Sequence, residues 1–144
     1  TKLKQNLETL EEYKLKISNF RKDELIKLTQ DYSAKSSKIG KYNVIIETIS
    51  LENTNESKEV ASNMVNNFDV DICILFSNIS GKTTIVGSTK PSVDLDISII
   101  TNDLSSLYGG GASKDPNLSI GGGPGKYETS KAIDVAIKSL TKLL

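Results

Sequence analysis

Histidine and tryptophan are missing from this sequence of 144 residues, and cysteine occurs once, as Cys73. Without histidine neither a Ser-His-Asp triad nor a histidine-ligated zinc site can form, and one cysteine cannot provide a thiolate cage. The carboxylates offer no convincing acid–base pair, since Asp94 and Asp96 precede a helical pattern, where negative charge is favourable at the positive end of the dipole. We therefore predict that this chain binds a partner and performs no chemistry, with no metal site and no cofactor of its own.

Long apolar runs are also lacking. No stretch of 18 apolar residues, signal peptide or lipidation signal is present, so we predict no contact with a membrane. Cys73 lies inside an apolar run, which is typical of an inert buried thiol in a reducing compartment. These features favour a cytoplasmic protein. Because the chain opens on Thr1 within a helical pattern, we expect it to be a piece of a longer protein.

The formal net charge of the chain is zero. The 18 basic and 18 acidic side chains cancel, so the whole molecule has no general attraction for nucleic acid. The distribution is uneven: residues 1–41 hold ten basic and six acidic residues (+4), residues 42–103 three and nine (−6), and residues 104–144 five and three (+2). If a polyanion binds, we expect it to contact the two ends of the chain.

What the sequence does have is a concentration of glycine between residues 108 and 127. Seven of the ten glycines lie here: six form two triplets that flank the apolar Leu118-Ser119-Ile120, and the seventh is Gly125. The pattern predicts a helix, a glycine loop, a short buried strand, a second glycine loop and a final helix. Such loops can serve as tight turns at a crowded sheet end, or can present bare N–H groups to a phosphate or ribose. For the second alternative, the candidate nucleic-acid-binding residues are Gly109, Gly110, Gly111, Lys114, Gly121, Gly122, Gly123 and Lys126.

The remaining patterns predict an α/β fold. We expect strands over residues 42–49, 70–76 and 82–88, with helices over about 54–67, 97–107 and 128–143. The run Ser80-Gly81-Lys82-Thr83-Thr84 resembles the end of a phosphate-binding P-loop, but Phe76 occupies the place of its first glycine and a strand follows, so we predict a hairpin turn. The predicted fold is a small mixed β-sheet with flanking helices and glycine-rich loops, preceded by a long N-terminal helix or helical hairpin.

The first 36 or so residues contain neither proline nor glycine. Apolar residues recur there every three or four positions, which indicates one face of a helix about 54 Å long. The alternatives are a helix that crosses its own domain, an antiparallel helix pair and a dimer contact. We predict a helical dimerisation region over residues 1–38 and an α/β domain over residues 39–144. The predicted dimer interface consists of Leu3, Leu7, Leu10, Ile17 and Phe20.

The glycine-rich segment also carries a family resemblance. The first triplet, a polar spacer with Pro116 and the second triplet resemble the signature of the DHH-associated domain. The form most similar to it ends alanyl-tRNA synthetases of the archaeal type and long free-standing alanyl-tRNA editing proteins. Three features depart from that pattern: a longer spacer, Ser119-Ile120 in place of an alanine-glutamine pair, and Ala112 where related phosphoesterases carry a histidine.

This resemblance implies two functions: holding two subunits together as a homodimer, and binding the outer corner of an alanine-specific tRNA in support of aminoacylation and editing. ATP and zinc would then belong to other domains of the full-length protein. Three alternatives stay open: the C-terminal domain of a trans-editing alanyl-tRNA deacylase, a pure oligomerisation module, and the substrate-binding domain of a DHH phosphoesterase.

Overall fold

The structure, a computed structural model, describes residues 9, 21–125 and 128–143. In this part of the chain six strands form one mixed sheet in the order β1-β2-β3-β4-β6-β5. Strands β2 and β3 pair in parallel, and every other neighbouring pair is antiparallel. The strand bounds are Ser37–Ile39 (β1), Tyr42–Thr48 (β2), Ile72–Ile79 (β3), Lys82–Thr89 (β4), Gly111–Ala112 (β5) and Leu118–Gly123 (β6).

Helices cover both faces of the sheet. The described helices are α1 (residues 21–33), α2 (Thr54–Asn67), α3 (Ile97–Leu107) and α4 (Thr129–Leu143). Helix α2 forms the crossover between the parallel strands β2 and β3, and it lies on the same face as α1. Helices α3 and α4 pack on the opposite face. The molecule therefore has three layers in its described part, with the sheet in the middle.

Strand β3 lies at the centre of the core, and its side chains pack alternately into the apolar clusters on the two faces of the sheet. Ile72, Ile74 and Phe76 belong to the cluster under α3 and α4. Cys73 and Leu75 belong to the cluster under α2, which also takes in Leu25, Leu28 and Tyr32 from α1. A continuous apolar run is typical of a strand that is covered on both faces, and this prediction is confirmed.

The turn between β3 and β4 has the backbone of a type I′ hairpin. Ser80 and Gly81 both have positive φ angles, 53° and 79°. This turn matches the right-handed twist of the two strands, and eight residue pairs follow it in register. The hairpin predicted for the P-loop-like sequence is thus confirmed.

The prediction of a mixed α/β sheet with flanking helices is confirmed, with two corrections. The second glycine loop was wrong, because Gly121–Gly123 form the end of β6 and pair with β4 and β5. Two short strands, β1 and β5, were not predicted.

The predicted boundary between residues 38 and 39 falls within β1, and the division into two regions stays a prediction. Of the long leading helix, residues 21–33 are helical in the described part. The predicted dimer interface (Leu3, Leu7, Leu10, Ile17 and Phe20) and Lys126 lie outside the described residues.

Candidate nucleic-acid interface

The two glycine triplets lie side by side at the β5 edge of the sheet. Strand β5 pairs with β6 so that Gly111 faces Gly122 and Ala112 faces Gly121. On its other side β6 pairs with residues 83–88 of β4, where Thr84 faces Gly122. The fold therefore brings the two triplets together, although about ten residues separate them in the sequence. The candidate site requires this proximity.

Several of these glycines are needed because other backbone atoms of the same chain lie against them. A Cβ atom on Gly122 would overlap the carbonyl oxygen of Thr83, and Gly122 also has a φ of 133°. A Cβ atom on Gly110 would overlap the carbonyl oxygen of Gly122, and one on Gly123 that of Tyr108. The close approach of strands β4, β5 and β6 thus gives these glycines a packing reason that requires no ligand.

The N–H groups at the end of α3 are likewise used within the chain. Gly109 donates to Ser106 O at 3.1 Å, and Gly110 donates to Ser105 O at 3.0 Å. These bonds satisfy two of the carbonyl groups that a helix leaves unpaired at its C-terminus. Gly109, with a φ of 79°, provides the left-handed residue that such an ending favours.

Gly111 is the member of the two triplets best suited to a substitution test of RNA contact, because it is uncrowded and, unlike Gly109, has no positive φ angle. The residue is exposed, and the nearest atom to a Cβ built there is Asn102 Oδ1 at 3.8 Å, an ordinary contact. Asn102 positions the start of the hairpin, because its Oδ1 accepts a hydrogen bond from Ala112 N at 2.9 Å. A side chain at Gly111 would consequently project from the candidate surface without disturbing the neighbouring backbone.

Lys114 lies in the loop that follows β5 and is exposed. It comes directly after Ser113, whose N–H donates to Ile120 O at 2.9 Å, immediately before the second triplet. The loop is ordered by Asp115, whose Oδ1 accepts from Asn117 N at 2.9 Å and from Leu118 N at 3.1 Å. The structure thus places Lys114 beside the Gly121 end of the second triplet. Assignment of all these residues to RNA contact stays a prediction.

Two ion-pair clusters lie outside the glycine region. Arg21, on α1, binds both carboxylate oxygens of Glu56 on α2, with Nε–Oε2 at 2.8 Å and Nη2–Oε1 at 2.7 Å. Hydrogen bonds from Arg21 are the main reason why the pKa of Glu56 lies below its ordinary value. At the start of β3, Lys90 Nζ lies 3.0 Å from Asp69 Oδ1 and 3.6 Å from Asp71 Oδ1. The hydrogen bond to Asp69 is the main cause of the raised pKa of Lys90.

No group of three or more potential metal ligands occurs among the residues that the structure describes. Cys73 is fully buried on β3, and burial raises the pKa of its thiol to about 12, although a hydrogen bond with Ser88 acts in the opposite direction. The thiol is accordingly protonated and unreactive near neutral pH. Within the described ranges, no helix is both long and apolar enough to span a membrane.

The fold is similar to that of a tRNA synthetase domain. The C-Ala domain of alanyl-tRNA synthetase from Aquifex aeolicus matches 74% of this chain over 97% of its own length, with a TM-score of 0.65 and 14% sequence identity. An exopolyphosphatase-related protein from Bacteroides fragilis matches 83% of this chain with 35% of its own, at a TM-score of 0.52 and 14% identity. The sequence itself matches no family model and no curated protein. At such identities the likeness establishes the fold.

Sequence reasoning missed one surface that bears on polyanion binding. Lysines from the β1 hairpin and from α4, at opposite ends of the chain, line neighbouring grooves: Lys35, Lys38, Lys138 and Lys142. The excess of basic residues at both ends was visible in the sequence. Their proximity was not, since it depends on α4 returning across β2, far away in the sequence.

Proposed function

We propose that this chain is the C-terminal domain of an alanine-tRNA ligase, that it forms a homodimer and that it binds the outer corner of alanine-specific tRNA. The likeness of its fold to nearly the whole C-Ala domain of an alanyl-tRNA synthetase is the observation that carries the proposal. Such a domain would position one tRNA for sites elsewhere in the full-length protein and would perform no chemistry itself. The absence of histidine from the whole sequence supports this non-catalytic role.

The physical properties of the chain suit a folded RNA that is recognised by shape and backbone. Structured RNA is bound largely through phosphates and 2′-hydroxyl groups, which call for basic side chains and close backbone approach. The basic ends of the sequence supply the basic side chains, and the exposed Gly111 at the β5 edge is a place where the RNA can approach the backbone closely. Because the net charge is zero, we expect weak binding by this chain alone, with a Kd of roughly 10⁻⁴ to 10⁻⁶ M.

A second candidate function is that of the substrate-binding domain of a phosphoesterase. The likeness to an exopolyphosphatase-related protein favours it. Against it, Ala112 occupies the position where the resemblance leads one to expect a phosphate-binding histidine, and its N–H donates to Asn102 instead of being available to a ligand. We therefore rank this candidate below the tRNA-binding domain.

The proposal is tested by titrating the 144-residue chain with full-length tRNA and with a minihelix that lacks the outer corner. We expect clearly tighter binding of the full-length tRNA. Gly111→Val is expected to weaken that binding without a change in circular dichroism, since a side chain there meets no neighbouring backbone. Lys114→Ala should lower the dependence of log K on log salt by about one unit or less.

Each outcome separates the alternatives. Equal affinity for the two RNAs would overturn the assignment to the outer corner of tRNA. Binding of neither RNA at low salt would leave only the oligomerisation module, and preferential binding of inorganic polyphosphate would favour the phosphoesterase-type domain.

A further inference from the structure

Helix α4 and the β1 hairpin enclose a groove of about 470 Å³ on the outer side of the sheet. Its floor is aliphatic, with Ile39 and Val44 from the hairpin and Ile133 and Ile137 from α4. Lys35 and Lys38 rim it on the hairpin side, together with Glu47. Residues from the two ends of the chain thus form one concave surface.

A second groove, of about 440 Å³, is lined by residues of α4 and shares Ile137 with the first. Ile137 lines both grooves and is 41% exposed, and Lys138 and Lys142 rim the second. We call the combined region the α4 basic surface. It consists of Ile137 and the charged residues Lys35, Lys38, Glu47, Lys138 and Lys142.

The charge of this surface distinguishes it from two other grooves, which involve α1 and α2. Four lysines face one glutamate, a net charge of +3. In a groove along α1 two cations face three carboxylates, a net charge of −1, and in a groove between α1 and α2 one lysine faces one glutamate. None of the four lysines forms an ion pair with a residue that the structure describes. A cluster of cations without counter-charges is favourable for a polyanion and unfavourable for most other partners.

Aromatic rings lie beside the same hairpin. Lys35 Nζ lies 4.5 Å from the centre of the Tyr32 ring, and Lys41 Nζ lies 5.3 Å from that of Tyr42. These contacts hold long lysine side chains near the surface, so that less freedom is lost when a phosphate binds. The region is consequently better prepared for a phosphate chain than isolated surface lysines would be.

We propose that the α4 basic surface is where this domain contacts the phosphate backbone of its RNA. The inference rests on the proposed function and refines it, because it places the principal electrostatic contact on α4 and the β1 hairpin and not on the glycine-rich edge. Each lysine that neutralises a phosphate releases a condensed counterion, so the contact reveals itself in the salt dependence of binding. The exposed Ile137 then lies between the phosphate contacts, where it can pack against sugar carbons.

The test compares two triple variants of the full 144-residue chain with equal changes of charge. Lys35→Ala/Lys38→Ala/Lys138→Ala removes lysines from the α4 basic surface, and Lys22→Ala/Lys27→Ala/Lys58→Ala removes three from α1 and α2 on the opposite face. Both are titrated with a tRNA transcript over a range of salt concentrations, and circular dichroism confirms their folds. For the first variant we expect the slope of log K against log salt to fall by about 2 to 3 units and Kd to rise roughly tenfold. For the second we expect little change.

Equal loss in the two variants would overturn the inference, since only total charge would then matter. Unchanged binding in the first variant, with loss in Gly111→Val, would place the contact at the glycine edge and leave the proposed function intact. Failure of the unmodified chain to bind tRNA would overturn both. Poly-glutamate serves as a protein-like polyanion. If it binds as tightly as tRNA, and if the first triple variant weakens its binding to the same extent, the partner would be an acidic protein and not RNA.

Discussion

At the scale of single residues, Gly122 combines two constraints that no other residue type meets. Its φ of 133° lies in a region that L side chains rarely adopt, and a Cβ atom would overlap the Thr83 carbonyl oxygen of the neighbouring strand. Gly109 has a φ of 79° but no atom within 4 Å of such a Cβ. A comparison of alanine substitutions at these two positions therefore separates the loss of stability due to backbone strain from the loss due to crowding.

We expect Gly122→Ala to lower the free energy of unfolding by roughly 3 kcal/mol or more, because strain and overpacking add. Gly109→Ala, the matched control, should lower it by about 1 kcal/mol through strain alone. Urea denaturation of the two variants measures the difference. Equal costs would show that β4 and β6 can move apart to admit a methyl group.

The glycine cluster was identifiable from the sequence, but the reason for it was not. Glycine triplets indicate positive φ angles or a close approach, and the sequence does not say whether the approaching atoms belong to a ligand or to the chain itself. The Thr83 oxygen comes from a strand distant in sequence, and the Tyr108 oxygen depends on how α3 ends. The first contact is a consequence of strand register and the second of the helix ending, and residue type alone determines neither.

At the scale of elements, the Arg21–Glu56 pair fastens α1 to the start of α2. Glu56 is 7% exposed, and Oε1 also accepts a hydrogen bond from Glu52 N at 2.9 Å. The side chain of Asn53, the N-cap of α2, accepts a hydrogen bond from Glu56 N at 2.9 Å. Glu56 therefore takes part in the start of α2 and also binds the neighbouring helix α1. The guanidinium fork suits this arrangement because it meets both carboxylate oxygens at once.

Replacing the fork should loosen this junction. We expect Arg21→Ala to lower the free energy of unfolding by about 1–3 kcal/mol, since the nearly buried Glu56 carboxylate loses two charged hydrogen bonds. Arg21→Lys should recover only part of the loss, and Lys22→Ala, an exposed neighbour, should change little. Chemical denaturation near neutral pH gives these values, and a neutral result for Arg21→Ala would contradict the proposed role.

The same pair predicts a dependence on pH. Because the pKa of Glu56 is lower in the folded chain than its ordinary 4.5, its stabilisation is present above that pH and is lost as the pH falls below it. In Arg21→Ala the decline of stability on the acidic side should be shallower. An unchanged acid profile would show that other carboxylates dominate the transition.

Element types were largely predictable, whereas the shortest strands were not. The buried run of β3 and the apolar stripes of α2, α3 and α4 are strong periodic signals. Strands β1 and β5 have three and two residues, too few for alternation to be recognised. Gly121–Gly123 were predicted as a loop because glycine weakens an isolated strand, and pairing on both sides of β6 overrides that preference.

At the scale of the whole molecule, assembly into a homodimer stays a prediction that rests on the stripe Leu3, Leu7, Leu10, Ile17 and Phe20. An apolar face of that length needs a covering surface. We expect sedimentation at micromolar concentration to show a symmetric dimer that Leu10→Asp converts to a monomer. Gln5→Asp, which introduces the same charge at a polar residue outside the stripe, is the control. A monomeric unmodified chain would refute the dimer.

How the two basic ends of the chain relate in space could not be read from the sequence. Their excess charge was countable, and it favours the two ends over the acidic middle as the place for a polyanion. Whether lysines of residues 35–41 and of α4 share one surface depends on the strand order and on where the last helix lies. The candidate contact with RNA on α4 is therefore a result of topology.

The brevity of β1 and β5 has a consequence for solubility. They are the two outer strands of the described sheet, and each pairs with only part of its neighbour: β1 with residues 42–44 of β2, and β5 with Gly121 and Gly122 of β6. A long flat outer strand would be a template on which copies add without end, and lysine side chains such as that of Lys38 discourage the approach of a second such strand. The stepped edges of this sheet accordingly disfavour the addition of further copies strand by strand.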